Sequence, residues 1–105
     1  MITAIVRFRI PKDKTLDEIT SIFEGTAPKY QGLDGLVRKY YLFDPEGTGG
    51  GVYLWESREA AERVYTDEWC QMIADRYGAP PEIIYFETPV IVDNTRPERI
   101  AGAAE

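Results

Sequence analysis

The strongest constraint on the fold is a turn cluster, Asp44-Pro45-Glu46-Gly47-Thr48-Gly49, set between two stretches of alternating character. Arg38-Lys39-Tyr40-Tyr41-Leu42 precedes it, and Gly50-Gly51-Val52-Tyr53-Leu54-Trp55 follows. Two such runs around a turn read as a β-hairpin. The second run leads straight into Glu56-Ser57-Arg58-Glu59-Ala60, where Ser57 has the chemistry of a helix N-cap. Alternation sends Lys39 and Tyr41 to one face of their strand, and Tyr53 and Trp55 to one face of the next. A cation and polar-tipped aromatics on a half-buried sheet make a poor plain core. They make a good wall for a small aromatic-binding pocket.

The rest of the chain fits elements around that hairpin. Ile2 to Ile10 alternates and reads as a strand stopped by Pro11. Thr15-Leu16-Asp17-Glu18 is a capping-box signature, with Leu16, Ile19, Ile22 and Phe23 following at helical spacing. This helix fades near Gly25 and cannot pass Pro28 intact. After Ser57, the helix carrying Ala60, Ala61, Val64 and Tyr65 meets a second cap at Thr66. It resumes with Trp69, Met72, Ile73 and Tyr77, and Gly78 closes it. Glu82 to Val92 is the last strand, with a bend expected at Pro89, and residues 95–105 have little to bury and read as a loose tail.

The order β-α-β-β-α-β defines a ferredoxin-like α+β domain over residues 1–94, a four-stranded antiparallel sheet with its helices on one face. The other face must also find cover. The even-numbered set Val6, Phe8, Leu36, Leu42, Val52 and Leu54 is too apolar to meet water over that area. Sheet-to-sheet homodimerisation would bury it, leaving Arg7, Lys39, Tyr41, Tyr53 and Trp55 toward the helices. The reverse assignment, with the odd set meeting a partner subunit, is the alternative.

Composition excludes several functions. At 105 residues the chain is one domain, and a net charge of −6 without clustered Lys or Arg argues against nucleic acid. No apolar run reaches the roughly 20 residues that span a bilayer, so no membrane role is expected. The N-terminal segment lacks the pattern of a secretory signal, which makes cytoplasmic location the expectation. Cys70 is the single cysteine and reads as a core or semi-buried thiol beside Trp69 and Met72. There is no histidine. That removes Ser-His-Asp and Cys-His systems, His-ligated metals and a haem with a His axial ligand. The glycine run 47–51 leads into a strand and lacks a following Lys-Ser/Thr, so it is no phosphate loop.

Strand 1, Gly35-Leu36-Val37-Arg38-Lys39-Tyr40-Tyr41, the junction Gly50 to Ala60, and Tyr85-Phe86-Glu87-Thr88-Pro89-Val90 together resemble the YdhR-like monooxygenase family. That family belongs to the dimeric α/β-barrel superfamily, with the antibiotic-biosynthesis and haem-degrading monooxygenases. The resemblance implies a homodimer of face-to-face sheets, each subunit keeping a cavity between sheet and helices. Trp55 matches a Trp that lines the cavity in haem-degrading relatives, and a strand-1 Asn of theirs falls near Arg7. Their catalytic His has no counterpart here, which argues against haem breakdown. Quinone-forming relatives oxidise phenolic polycycles without metal or flavin, relying on substrate acidity and a pocket that stabilises the anion.

The expected activity is therefore a monooxygenase reaction without a cofactor, on a small aromatic or quinol-like compound. Lys39 would stabilise a phenolate or enolate; its structural alternative is a pair with Glu87 or Asp44, or snorkelling to an edge. Tyr53 and Tyr41 would donate hydrogen bonds and Trp55 would stack, or each would simply fill core. Arg7 would orient an anion or form a cross-strand pair with Glu87. Tyr65 and Trp69 would frame the cavity mouth or pack. Lys39 and Tyr53 are thus the candidate catalytic pair. A non-catalytic binding dimer is the alternative, and an isomerase or lactone-processing enzyme would need a carboxylate such as Glu87 inside the cavity.

Overall fold

The structure, a computed structural model, describes residues 1–95 and 100–101. Strands β1 (Ile2–Arg9), β2 (Leu36–Asp44), β3 (Thr48–Trp55) and β4 (Glu82–Glu87) form one sheet in the order β2-β3-β1-β4. All neighbouring pairs are antiparallel. Helices α1 (Leu16–Thr26), α2 (Arg58–Val64) and α3 (Asp67–Tyr77) accompany it, giving the ferredoxin-like α+β fold.

The helix boundaries follow the local chemistry. Thr15 accepts from the Glu18 amide while the Glu18 carboxylate accepts from the Thr15 amide, completing the capping box of α1. A 3-10 turn, Ala27–Lys29, takes over where Pro28 forbids continuation. Ser57 and Thr66 cap α2 and α3 through the amides of Ala60 and Trp69. Gly78 closes α3 in the left-handed conformation.

The register corrects one expectation about faces. Ala4 stands opposite Tyr53, and Val6 opposite Gly51, so even-numbered residues of β1 share a face with odd-numbered residues of β3. Ile2, Ala4 and Val6 are buried under the helices with Tyr53 and Trp55, and Phe8 packs against them. The odd set thus faces the helices in β2 and β3 but not in β1. Leu36 also packs on the helix side, because the β2–β3 register shifts between Leu36 and Arg38. A second cluster, Ile10, Ile19 and Phe23, fastens α1 to the end of β1.

The last strand also differs from expectation. β4 stops at Glu87, and Ile91–Val92 (β5) forms a separate antiparallel pair with Ile100–Ala101 (β6). The other residues of the expected tail, 96–99 and 102–105, lie outside the described residues. Between β4 and β5 the chain turns onto the open face of the sheet. The Thr88 amide donates to the Met1 carbonyl, and the Thr3 and Thr88 hydroxyls bond to each other. Thr88, Val90 and Val92 then line a groove with Thr3, Val52, Leu54 and Tyr40, and Asp93 reaches Arg38 at 3.3 Å. The segment crosses from one edge of the sheet to the other. Tyr40, Leu42, Ile84 and Phe86 stay exposed on that face.

Candidate functional site

The site forms where β2 and β3 meet α1 and α3. Lys39 and Tyr53 are register partners, as are Tyr41 and Gly51, all on the helix side. A β-carbon at Gly51 would stand 3.1 Å from the Tyr53 ring and 3.3 Å from the Lys39 Cε. A side chain there would occupy the space into which both residues lean. At Gly50, with φ of 149°, a β-carbon would collide with the Val6 carbonyl at 1.8 Å. The two glycines let β3 approach β1 closely and leave Lys39 room above the strand.

The Lys39 ammonium lies over three tyrosine rings, 3.6 Å from the Tyr30 centroid, 3.8 Å from Tyr41 and 4.5 Å from Tyr53. None of the carboxylates of the described residues makes a salt bridge to it. Neither pairing suggested by the sequence, with Glu87 or with Asp44, forms among those bridges. Burial pushes the Lys39 amine down to about 7. The ring faces act in the opposite sense, each favouring the ammonium by about 0.5–2 kcal/mol.

Beside this amine is a small cavity of about 30 Å³, bordered by Phe23, Tyr30, Lys39, Tyr41, Tyr53 and Tyr77, with the exposed Lys29 and Arg76 at its rim. It has room for water and none for an aromatic ring. Tyr30, Lys39 and Tyr41 also form one wall of a groove of about 320 Å³ at the β2 edge, with Ala27, Leu36 and Val37. Phe23 and Tyr41 likewise separate the cavity from an apolar groove along α1. Tyr41 is held in that partition by Thr26, hydroxyl to hydroxyl at 2.8 Å, and by its tilted ring contact with Phe23. The Lys39 cage is the thin wall between inside and outside.

The remaining expected site residues divide clearly. Trp55 is fully buried and stacks in parallel on Tyr53 at 5.9 Å, so it stands behind Tyr53 instead of lining the cavity. Its indole donates to the Tyr65 hydroxyl at 3.1 Å, while the Trp69 indole donates to the Tyr30 hydroxyl at 3.1 Å. Tyr65 and Trp69 therefore hold Trp55 and Tyr30 in place and do not frame a mouth. Burial raises the Tyr53 and Tyr65 hydroxyls far above the usual phenol value, with neighbouring tyrosines adding to the shift at Tyr53. Both stay protonated and can act as donors.

Arg7 is the clear departure. It projects from the opposite face of the sheet and pairs with Glu82, its register partner, at 2.5 Å. The parity of β1 places it there, so it does not reach Lys39. Glu87 is exposed at the end of β4 and does not border the cavity, which removes the carboxylate that an isomerase reading needs. Tyr30 is the member that sequence reasoning missed. It follows the 3-10 turn, where no periodicity marks which way a side chain points.

No family model and no curated protein matches the chain. Solved structures do. NE2512, a protein of unknown function from Nitrosomonas europaea, superposes with a TM-score of 0.62 at 16% identity, covering 83% of this chain and 87% of its own. SnoaB, a cofactor-independent oxygenase from Streptomyces nogalater, gives 0.57 at 21% identity, covering 83% and 91%. A mutant form of SnoaB gives 0.58 at 19% over the same shares. These likenesses establish the fold that this chain has in common with SnoaB. Among the described residues no helix is long and apolar enough to cross a membrane.

Proposed function

We propose that this protein is a cofactor-independent oxygenase acting on a small phenolic or quinol-like aromatic. The observation that carries the reading is Lys39, an amine without a carboxylate partner among the described residues, caged by tyrosine faces beside a small cavity. With its pKa near 7, the free amine is present at neutral pH and can take a proton from an acidic phenol or activated C–H. The ammonium so formed then faces the substrate anion. The anion passes an electron to dioxygen and the radicals combine into a C–O bond. The Lys39 ammonium returns its proton to the peroxide, which loses water with the remaining hydrogen on that carbon to leave a quinone-type carbonyl. One oxygen atom enters the product and the other leaves as water.

The residues take unequal parts. Lys39 is the base and counter-charge, and Tyr53 a protonated donor above it. Tyr41 is the partition, and the groove outside it is large enough for a single ring, since a cavity of about 150 Å³ accommodates benzene. Trp55, Tyr65 and Trp69 are positioning residues. The apolar residues still exposed on the open sheet face support a homodimer built through that face, as in the YdhR-like resemblance, acting in the cytoplasm.

Oxygen uptake by metal-stripped protein, against hydroquinones, anthrones and simple phenols, tests the reading. Turnover that survives chelator and is lost in Lys39→Met is the expected result. A binding dimer without catalysis is the second reading, favoured by the groove of about 320 Å³ beside Lys39, since binding needs only a shaped cavity. Ligand-dependent rises in Tm without oxygen uptake would establish it instead.

A further inference from the structure

We propose a second chemistry for the same lysine: Lys39 is a Schiff-base nucleophile for small apolar aldehydes and ketones that enter from the β2-edge groove. This does not rest on the oxygenase reading, because it uses the amine to form a covalent bond instead of to move a proton.

Three observations converge on it. First, the amine is uncommitted: among the described residues it has no salt-bridge partner, and the charged side chains bordering its cavity are the cations Lys29 and Arg76. No carboxylate faces it from β2, β3, α1, α3 or the 3-10 turn to hold it as ammonium. The other titratable groups around it are the hydroxyls of Tyr30, Tyr41, Tyr53 and Tyr77. Second, the amine stands in a wall, with the groove of about 320 Å³ on one side and the cavity of about 30 Å³ on the other. A carbonyl compound fits the first, and the water released by condensation fits the second. Third, the cage suits the product. A protonated imine is a cation at the same place as the ammonium, so the faces of Tyr30, Tyr41 and Tyr53 stabilise it in the same way.

The chemistry balances without a co-reactant. The Lys39 Nζ lone pair attacks the carbonyl carbon and a proton passes from nitrogen to oxygen, giving a carbinolamine. Loss of water then leaves a C=N bond, protonated to the iminium. Burial supplies the free amine, as in lysines desolvated in hydrophobic pockets.

Full-length protein incubated with benzaldehyde or pentane-2,4-dione, with cyanoborohydride to trap the imine formed by the aldehyde, is the test. Peptide mass mapping then compares Lys39 with the exposed Lys12 and Lys29 and with the N-terminal amine. At neutral pH, benzaldehyde labelling of Lys39 should run at least about tenfold faster than that of Lys12, because an ordinary lysine of pKa about 10.4 has under 1% free amine there. The Lys39 rate should level off above about pH 7 while the Lys12 rate keeps climbing. Pentane-2,4-dione should give its conjugated enaminone at Lys39 fastest in the wild-type map, and Lys39→Arg should lose that fast-forming fraction. Labelling of Lys39 no faster than that of Lys12, in protein that is still folded, overturns the proposal. Should Lys39→Arg fail to fold, the wild-type map decides alone. Imine trapping without oxygen uptake would sink only the oxygenase reading, and oxygen uptake without trapping only this one.

Discussion

Two ends of the layer between sheet and helices use the same side-chain types to opposite effect. At the α2 end, Trp55, Tyr65, Trp69 and Tyr30 join their polar tips pairwise, indole to hydroxyl, and the rings pack edge-to-face or tilted. At the α1 end, Tyr41 bonds Thr26, but the central polar group, the Lys39 ammonium, meets only ring faces and a cavity. Aromatic content alone does not separate a core from a site. The difference is whether the polar tips satisfy one another or leave one half-buried group, Lys39, without a hydrogen-bonding side chain.

The largest effect that would break this comparison belongs to the packed end. Trp55→Ala should lose about 3–5 kcal/mol of stability in urea unfolding, since it removes a fully buried ring and strands the Tyr65 hydroxyl. A loss under about 1 kcal/mol would show that this end is not core. Gly51→Ala comes next, at about 1–3 kcal/mol, from the β-carbon pressed 3.0 Å from the Tyr40 carbonyl and against Tyr53 and Lys39. The same substitution should abolish oxygen uptake by displacing the amine.

Lys39→Met sharpens the contrast from the other side. It should leave stability unchanged or raise it by about 1 kcal/mol, while oxygen uptake disappears. The pH dependence tests why. Unfolded Lys39 titrates near its usual value of about 10.4, and folded Lys39 near 7. Between those values the unfolded chain binds more protons, so wild-type stability rises with pH across that window. The advantage of Lys39→Met should be greatest below about pH 7 and fade toward pH 10. A constant difference would mean that the amine titrates normally. The smallest effect is Tyr41→Phe, about 1 kcal/mol or less from the lost Thr26 hydrogen bond. It should speed entry of small probes to Lys39, read as faster imine trapping.

Local signals made the elements legible. The Thr15–Glu18 capping box, the caps at Ser57 and Thr66, and the hairpin turn each depend on neighbours a few residues away. The caps stand where the sequence places them, while the turn is shorter than the Asp44–Gly49 cluster, since Thr48 and Gly49 already belong to β3. Lys39 and Tyr53 sharing a face was legible for the same reason, since a hairpin fixes its own register. The face of β1 was not. Its partners Tyr53 and Tyr85 lie far along the chain, and a single-residue change of register exchanges Arg7 for Val6. Tyr30 was hidden for a related reason, since only the packing of its turn against α3 brings it over Lys39.

The crossing of the chain after Glu87 has a consequence for truncation. Thr88 to Val92 covers Thr3, Val52 and Leu54 and leaves the Lys39 cavity untouched, because the two lie on opposite sides of the sheet. Trimming the C-terminus at Glu87 would therefore spare the pocket and unroof apolar surface next to the edge strand β2. The segment therefore sets how much of that face a second copy can bury, leaving Tyr40, Leu42, Ile84 and Phe86 as the apolar surface open to it.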